Sequence, residues 1–129
     1  MNSLENAKLL RIFIGESDKI GNVNVYEKIV SEARKDNLAG ATVYRGIMGF
    51  GKNSIIHTSK IFALSEDLPL VVEIVDSASK IDDFIPKVKE IFEKADNGGL
   101  ITIEKAEIIH YTSSKNGLWK KFLIKLFCL

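Results

Sequence analysis

Apolar positions recur along most of this chain, and their spacing predicts six elements. Between Lys8 and Ile14, Leu10, Ile12 and Ile14 fall on one side of an extended chain, with Leu9 and Phe13 on the other. Apolar residues on both sides predict a central strand. Gly15 ends it, and a polar loop runs from Glu16 to Asn22. Asn24 and Glu27 have capping-box spacing. Val25, Ile29 and Ala33 then recur every fourth residue beside Tyr26 and Val30, which predicts a helix over 24–37 closed by Asn37 and Gly40. Ala41 to Arg45 reads as a second strand, and Gly46, Gly49 and Gly51 punctuate a loop.

Ile55 to Leu64 is a mixed stretch that fits an extended hairpin arm. Leu70 to Val75 is a buried-strand pattern, opened by Pro69 where a missing N–H is tolerated. Ile81, Phe84, Ile85, Val88, Ile91 and Phe92 share one helical face. Pro86 interrupts that face, which predicts either a separate first turn or a kink. Asn97-Gly98-Gly99 is a turn, and Leu100 to Tyr111 is the last strand. Its apolar phase slips at Glu104-Lys105, which predicts a bulge. The order β-α-β-β-α-β predicts an α+β fold, the ferredoxin-like antiparallel sheet with two helices on one face.

Composition bounds the chain without assigning it a task. Its 129 residues fit one domain, and 46% hydrophobic with 27% charged residues excludes disordered and collagen-like chains. Cys128 is the only cysteine, so no intrachain disulfide forms, and a cytoplasmic setting is expected. No stretch reaches the roughly 17–25 apolar residues that span a bilayer. The net charge of +1 gives no case for nucleic acid. That charge is unevenly spread. Residues 1–114 carry 14 basic and 17 acidic side chains, a balance of −3. Residues 115–129 carry Lys115, Lys120, Lys121 and Lys125 and no acid, a balance of +4. The sequence therefore divides into a domain over 1–114 and a basic tail over 115–129.

Gly46-x-x-x-x-Gly51-Lys52 has the spacing that opens a P-loop. Asn53 stands where Ser or Thr would hold magnesium, and the strand-prone Ile55-Ile56 follows where a helix is needed. A Walker-type NTPase is therefore excluded. Two readings stay open: backbone N–H groups cradling an anion with charge from Arg45 or Lys52, or a hairpin tip. His57 and His110 with one cysteine make no zinc set. Asp82-Asp83 reads as acid placed at the start of the second helix. Ser54, Thr58 and Ser59 lack a base and its orienter, so nothing compels catalysis and no enzyme is expected. In the tail, Leu118, Trp119, Phe122, Leu123, Leu126, Phe127 and Leu129 cover one half-circle at helical spacing. Lys120, Lys121 and Lys125 cover the other. This basic amphipathic segment suits its own assembly, a partner protein or a membrane surface, through Trp119, Phe122, Leu123, Leu126 and Phe127.

Three runs carry a family resemblance: Gly40 to Lys52, Ile56-His57-Thr58, and Leu64 to Asp76. Together they resemble the PII-like family known as domain of unknown function one-ninety, over residues 7–113 and excluding the tail. The resemblance implies a ferredoxin-like subunit in a compact homotrimer. It further implies an adenine nucleotide as effector in clefts between subunits, and regulation of a transporter or enzyme through the loop Gly46–Thr58. By position it makes Arg45, Gly46, Gly49, Gly51, Lys52 and His57 ligand neighbours. It places a second phosphate-binding turn at Gly98 and Gly99. There is no Tyr between Gly46 and Lys60, so uridylylation is not implied. Leu100 follows the turn where a basic residue would help neutralise a triphosphate, which favours AMP or ADP over ATP. The alternative is a membrane-peripheral adaptor that acts through its tail without a nucleotide.

Overall fold

The structure, a computed structural model, describes residues 6–51, 67–95 and 98–113. The elements in chain order are β1 (Ala7–Gly15), β2 (Lys19–Ile20), β3 (Val23–Asn24), α1 (Val25–Lys35), β4 (Thr42–Arg45), β5 (Pro69–Ser77), α2 (Ala78–Ala95) and β6 (Leu100–Ala106). The main sheet has the order β4-β5-β1-β6, with every neighbouring pair antiparallel. This is the ferredoxin-like arrangement, and β2 and β3 add a small separate hairpin. The expected arm over 55–64 lies outside the described residues.

The period-two pattern builds the core. Leu10, Ile12 and Ile14 pair with Ile74, Val72 and Leu70, and all six are buried on the helix-covered side. Val25, Ile29 and Ala33 of α1 and Ile81, Phe84, Val88 and Ile91 of α2 close over them. The opposite side behaves otherwise. Phe13 and Val75 stay exposed there, although apolar residues on both sides of β1 predict two buried faces. Both helices of the described chain lie on the same side.

Local chemistry explains where the elements begin and end. Asn24 occupies the cap position of α1, but its side chain makes no cap hydrogen bond; its amide donates to the Glu27 carboxylate instead. The first-turn N–H of Val25 donates to the Asp18 carbonyl. At the far end Asn37 takes a left-handed φ of 58°. Its N–H donates to the Arg34 carbonyl, and that of Leu38 to the Ala33 carbonyl. These two bonds form a Schellman cap. α2 runs without interruption through Pro86, which lies on the solvent face. Water can there serve the Asp82 carbonyl that the missing N–H leaves unpaired. Because α2 starts at Ala78, Asp82 and Asp83 lie beyond its first turn, and Asp82 pairs with Lys8 at 2.7 Å. The register of β6 against β1 is continuous through Glu104 and Lys105, so there is no bulge. The apparent slip arises because Ala106 faces the uncovered side, paired with Ala7. Regular pairing stops at Ala106, five residues short of the expected Tyr111.

Candidate functional site

The strand ends bring the glycine segments to one end of the sheet. Arg45 pairs with Leu70, Pro69 with Gly15, and Phe13 with Leu100. The last residues of β4 and β1 and the first of β5 and β6 therefore share that end. The Gly46 N–H donates to the Pro69 carbonyl at 2.7 Å. A Cβ added at Gly46 would stand 2.8 Å from Pro69 Cγ, and one at Gly49 3.0 Å from it. Pro69 is thus a fixed block against which the loop backbone closes, and small residues permit that approach. From this base Ile47, Met48 and Phe50 project into solvent.

Gly99 sits at the same end but on the opposite edge. A Cβ there would stand 2.5 Å from Phe92 Cζ and 3.2 Å from the Phe13 carbonyl. Its smallness lets β6 begin directly beneath α2, a packing need that the turn signal alone does not reveal. Gly98 meets no neighbour within 4 Å. Three strand spacings of about 4.8 Å each separate the two edges, so the glycine segments stand roughly 14 Å apart within one chain. The fold aligns Gly46, Gly49 and Gly51 with Gly98 and Gly99 at one end and does not bring them together. Lys52 and His57 lie outside the described residues, as do Trp119, Phe122, Leu123, Leu126 and Phe127.

The segments beside the described glycine loop carry the acids, since residues 46–51 have no charged side chain. The Arg45 guanidinium pairs with Glu16. Asp18 accepts the Gly15 N–H at 2.9 Å, and Asp67 accepts the Ser17 N–H at 3.1 Å. Asp18 is held above the usual carboxylate range, first by burial; the Gly15 hydrogen bond opposes this, and the charge of Asp67 adds to it. Arg45, expected as a phosphate neighbour, therefore already serves a carboxylate. Among the described residues, no group of three or more His, Cys, Asp and Glu is placed to hold a metal.

A second concavity has no counterpart among the sequence motifs. An open groove of about 510 Å³ lies where α1 ends, lined by Val30, Arg34, Asn37, Leu38, Ala41 and Tyr111 among others. Its wall is pinned by Asp76, a buried carboxylate at the end of β5. Asp76 accepts the Ala39 N–H at 2.8 Å and the Ser77 N–H at 2.6 Å. Lys80 donates to the Asn37 carbonyl, and Lys87 pairs with Asp36. Only the acid closing the apolar run Leu70–Val75 hinted at this tether.

The uncovered sheet face carries a polar row across three strands. Arg11 donates to Glu73 at 2.8 Å and pairs with Glu104. The Arg11 bond holds the Glu73 carboxyl below its usual range despite opposing desolvation, and Tyr44 helps. The Tyr44 phenol is in turn held above its ordinary value, first by that hydrogen bond. Beside this row lies an apolar one, in which Leu100, Phe13, Val71 and Tyr44 stand in register across all four strands.

This arrangement of an antiparallel sheet and two helices is the PII-like fold. CPII, a nitrogen regulatory PII-like protein from Thiomonas intermedia K12 solved with ADP, AMP and bicarbonate, is similar with a TM-score of 0.60 at 14% identity, over 84% of this chain and 92% of that one. A Thermus thermophilus structure described as a PII-like signaling protein gives 0.56 at 16% identity, over 83% and 92%. The chain belongs to the family DUF190, "Uncharacterized ACR", whose model matches residues 7–108. A UPF0166 protein of Aquifex aeolicus (strain VF5) is 40% identical over 103 residues, 80% of this chain and 93% of that one. A UPF0166 protein of Methanocaldococcus jannaschii is 35% identical over 102 residues, 79% and 91% respectively. No described helix is long and apolar enough to cross a membrane.

Proposed function

We propose that this protein is a cytoplasmic, non-enzymatic regulator. It forms a homotrimer, binds an adenine nucleotide between subunits, and passes the bound state to a transporter or another partner through the loop Gly46–Thr58. The observation that carries this reading is the placement of the two glycine segments at the same end but on opposite edges of the sheet. Within one chain they are roughly 14 Å apart, at three strand spacings. A cleft formed by two copies can set Gly46, Gly49, Gly51 and Lys52 of one against Gly98 and Gly99 of the next. Membership in DUF190 and a fold shared with a CPII that was solved with ADP and AMP support the choice of ligand. The exposed apolar row of the open face supports assembly. AMP or ADP is favoured over ATP because Glu16, Asp18 and Asp67 lie on the segments beside the described loop and Leu100 follows the second turn.

Native mass spectrometry with AMP, ADP and ATP tests the reading. A trimer that gains up to three AMP or ADP molecules is expected, with weaker uptake by Lys52→Ala. A trimer that ignores all three overturns the ligand, and a monomer overturns the assembly. Tighter binding of ATP than of AMP reverses the assigned phosphate count.

A second reading rests on the half-circle of apolar residues in 115–129, outside the family match. In it the tail carries the trimer to a membrane surface, and three copies strengthen weak binding. Liposome sedimentation with and without residues 115–129 tests this, and equal binding by both forms refutes it.

A further inference from the structure

We propose that the C-terminal segment 115–129 docks on the apolar prong of the glycine loop of its own chain and covers it. Ile47, Met48 and Phe50 are 95%, 74% and 75% exposed. Three large exposed apolar side chains within four residues, on a backbone closed against Pro69, call for a cover. The surrounding charge selects that cover. Segments 15–19, 45–51 and 67–69 hold Glu16, Asp18 and Asp67 against Arg45 and Lys19, and Arg45 is taken up by Glu16. An anionic membrane is repelled by such a rim. A partner with an apolar face flanked by basic side chains fits it.

The tail of this chain has that chemistry. Its apolar half-circle is bordered by Lys120, Lys121 and Lys125, and it has no acid. Its +4 balance opposes the −3 of residues 1–114. The path is also short enough. Tyr111 shares a groove with Ala41, which directly precedes β4, and Gly46 directly follows β4. From there to the prong is about five strand residues, roughly 17 Å. As a helix, residues 114–129 span about 24 Å. A docked tail places a cover over the loop that any outside partner must displace.

Trp119 is the only tryptophan and sits in the tail, so its fluorescence reports docking directly. The experiment measures acrylamide quenching of full-length protein without nucleotide, at several protein concentrations, against a synthetic peptide of residues 114–129. Strong shielding relative to the peptide, independent of concentration, is expected. The triple variant Ile47→Ser/Met48→Ser/Phe50→Ser should raise quenching several-fold, to the level of the peptide. Lys120→Glu/Lys121→Glu/Lys125→Glu, which leaves the loop intact, should do the same. Quenching equal to the peptide in the unaltered protein overturns the proposal. So does shielding that survives either variant, and so does shielding that appears only as concentration rises, which assigns the tail to another molecule. None of these readings depends on whether a nucleotide binds.

Discussion

The two faces of one sheet differ more than any two elements of this protein. On the helix-covered face, Ile12 and Val72 are 0% exposed, held between two helices. On the other face of the same sheet, Phe13 and Leu100 are 37% and 55% exposed, with Arg11, Glu73 and Glu104 between apolar rows. The alternation that buries one set displays the other, because successive side chains of a strand point to opposite faces. The covered face explains why the chain folds. The open face is a surface still to be satisfied, and the proposed trimer is what satisfies it.

The covered face is most sensitive to substitution in the core. Phe84→Ala removes the largest fully buried side chain among the described residues, and a loss of about 3–5 kcal/mol in urea unfolding is expected. Asp76→Ala comes next. It strands the N–H groups of Ala39 and Ser77, at about 1–3 kcal/mol for a buried donor left unpaired. Faster hydrogen exchange at residues 37–40 would locate that loss, and unchanged exchange would contradict the tether. Gly99→Ala drives a methyl into Phe92 and should cost about 1–3 kcal/mol by overpacking.

The open face should answer differently. Leu100→Ser should change the stability of the single chain by only about 0.5 kcal/mol. It should nevertheless weaken the proposed trimer, as read by sedimentation at matched concentration, and full retention of the trimer would free this face of that role. The smallest effect is on pH. Glu73 is held below its unfolded value of about 4.3, so its contribution is present above that pH and lost as pH falls through the folded value. Asp18, held above its ordinary value chiefly by burial, acts in the opposite direction and regains stability on protonation. Thermal unfolding between about pH 5 and 2 should therefore fall less steeply in Glu73→Gln than in the unaltered chain. The difference is small because both partners of the pair are solvated.

The architecture was readable because its signals are local. Leu10, Ile12 and Ile14 alternate, Ile81, Phe84 and Val88 follow helical spacing, and Asn37 stops α1 at a left-handed residue. Less was readable at the candidate site. Arg45 reads as a free cation beside glycines, but Glu16 lies 29 residues away in sequence and claims it. Gly99 reads as a loop residue, but the ring of Phe92 requires its smallness. The slip at Glu104-Lys105 reads as a bulge, whereas the pairing with β1 runs on unbroken.

Taken alone, the sequence determined the order of the six main elements (though not the small β2–β3 hairpin inside the expected loop), the helix-facing half of the core, the charge asymmetry of residues 115–129 and the family. The first two rest on spacing between near neighbours and the third on charge, which needs no partner to be counted; the family rests on the resemblance carried by the runs Gly40 to Lys52, Ile56 to Thr58 and Leu64 to Asp76. Only the tertiary structure decided that the glycine segments share an end of the sheet but not an edge, that Asp76 ties the loop after α1 to β5, and that the second face of β1 is left uncovered by the described chain. Those facts depend on strand order and on contacts between residues far apart in sequence, and periodicity carries no information about either.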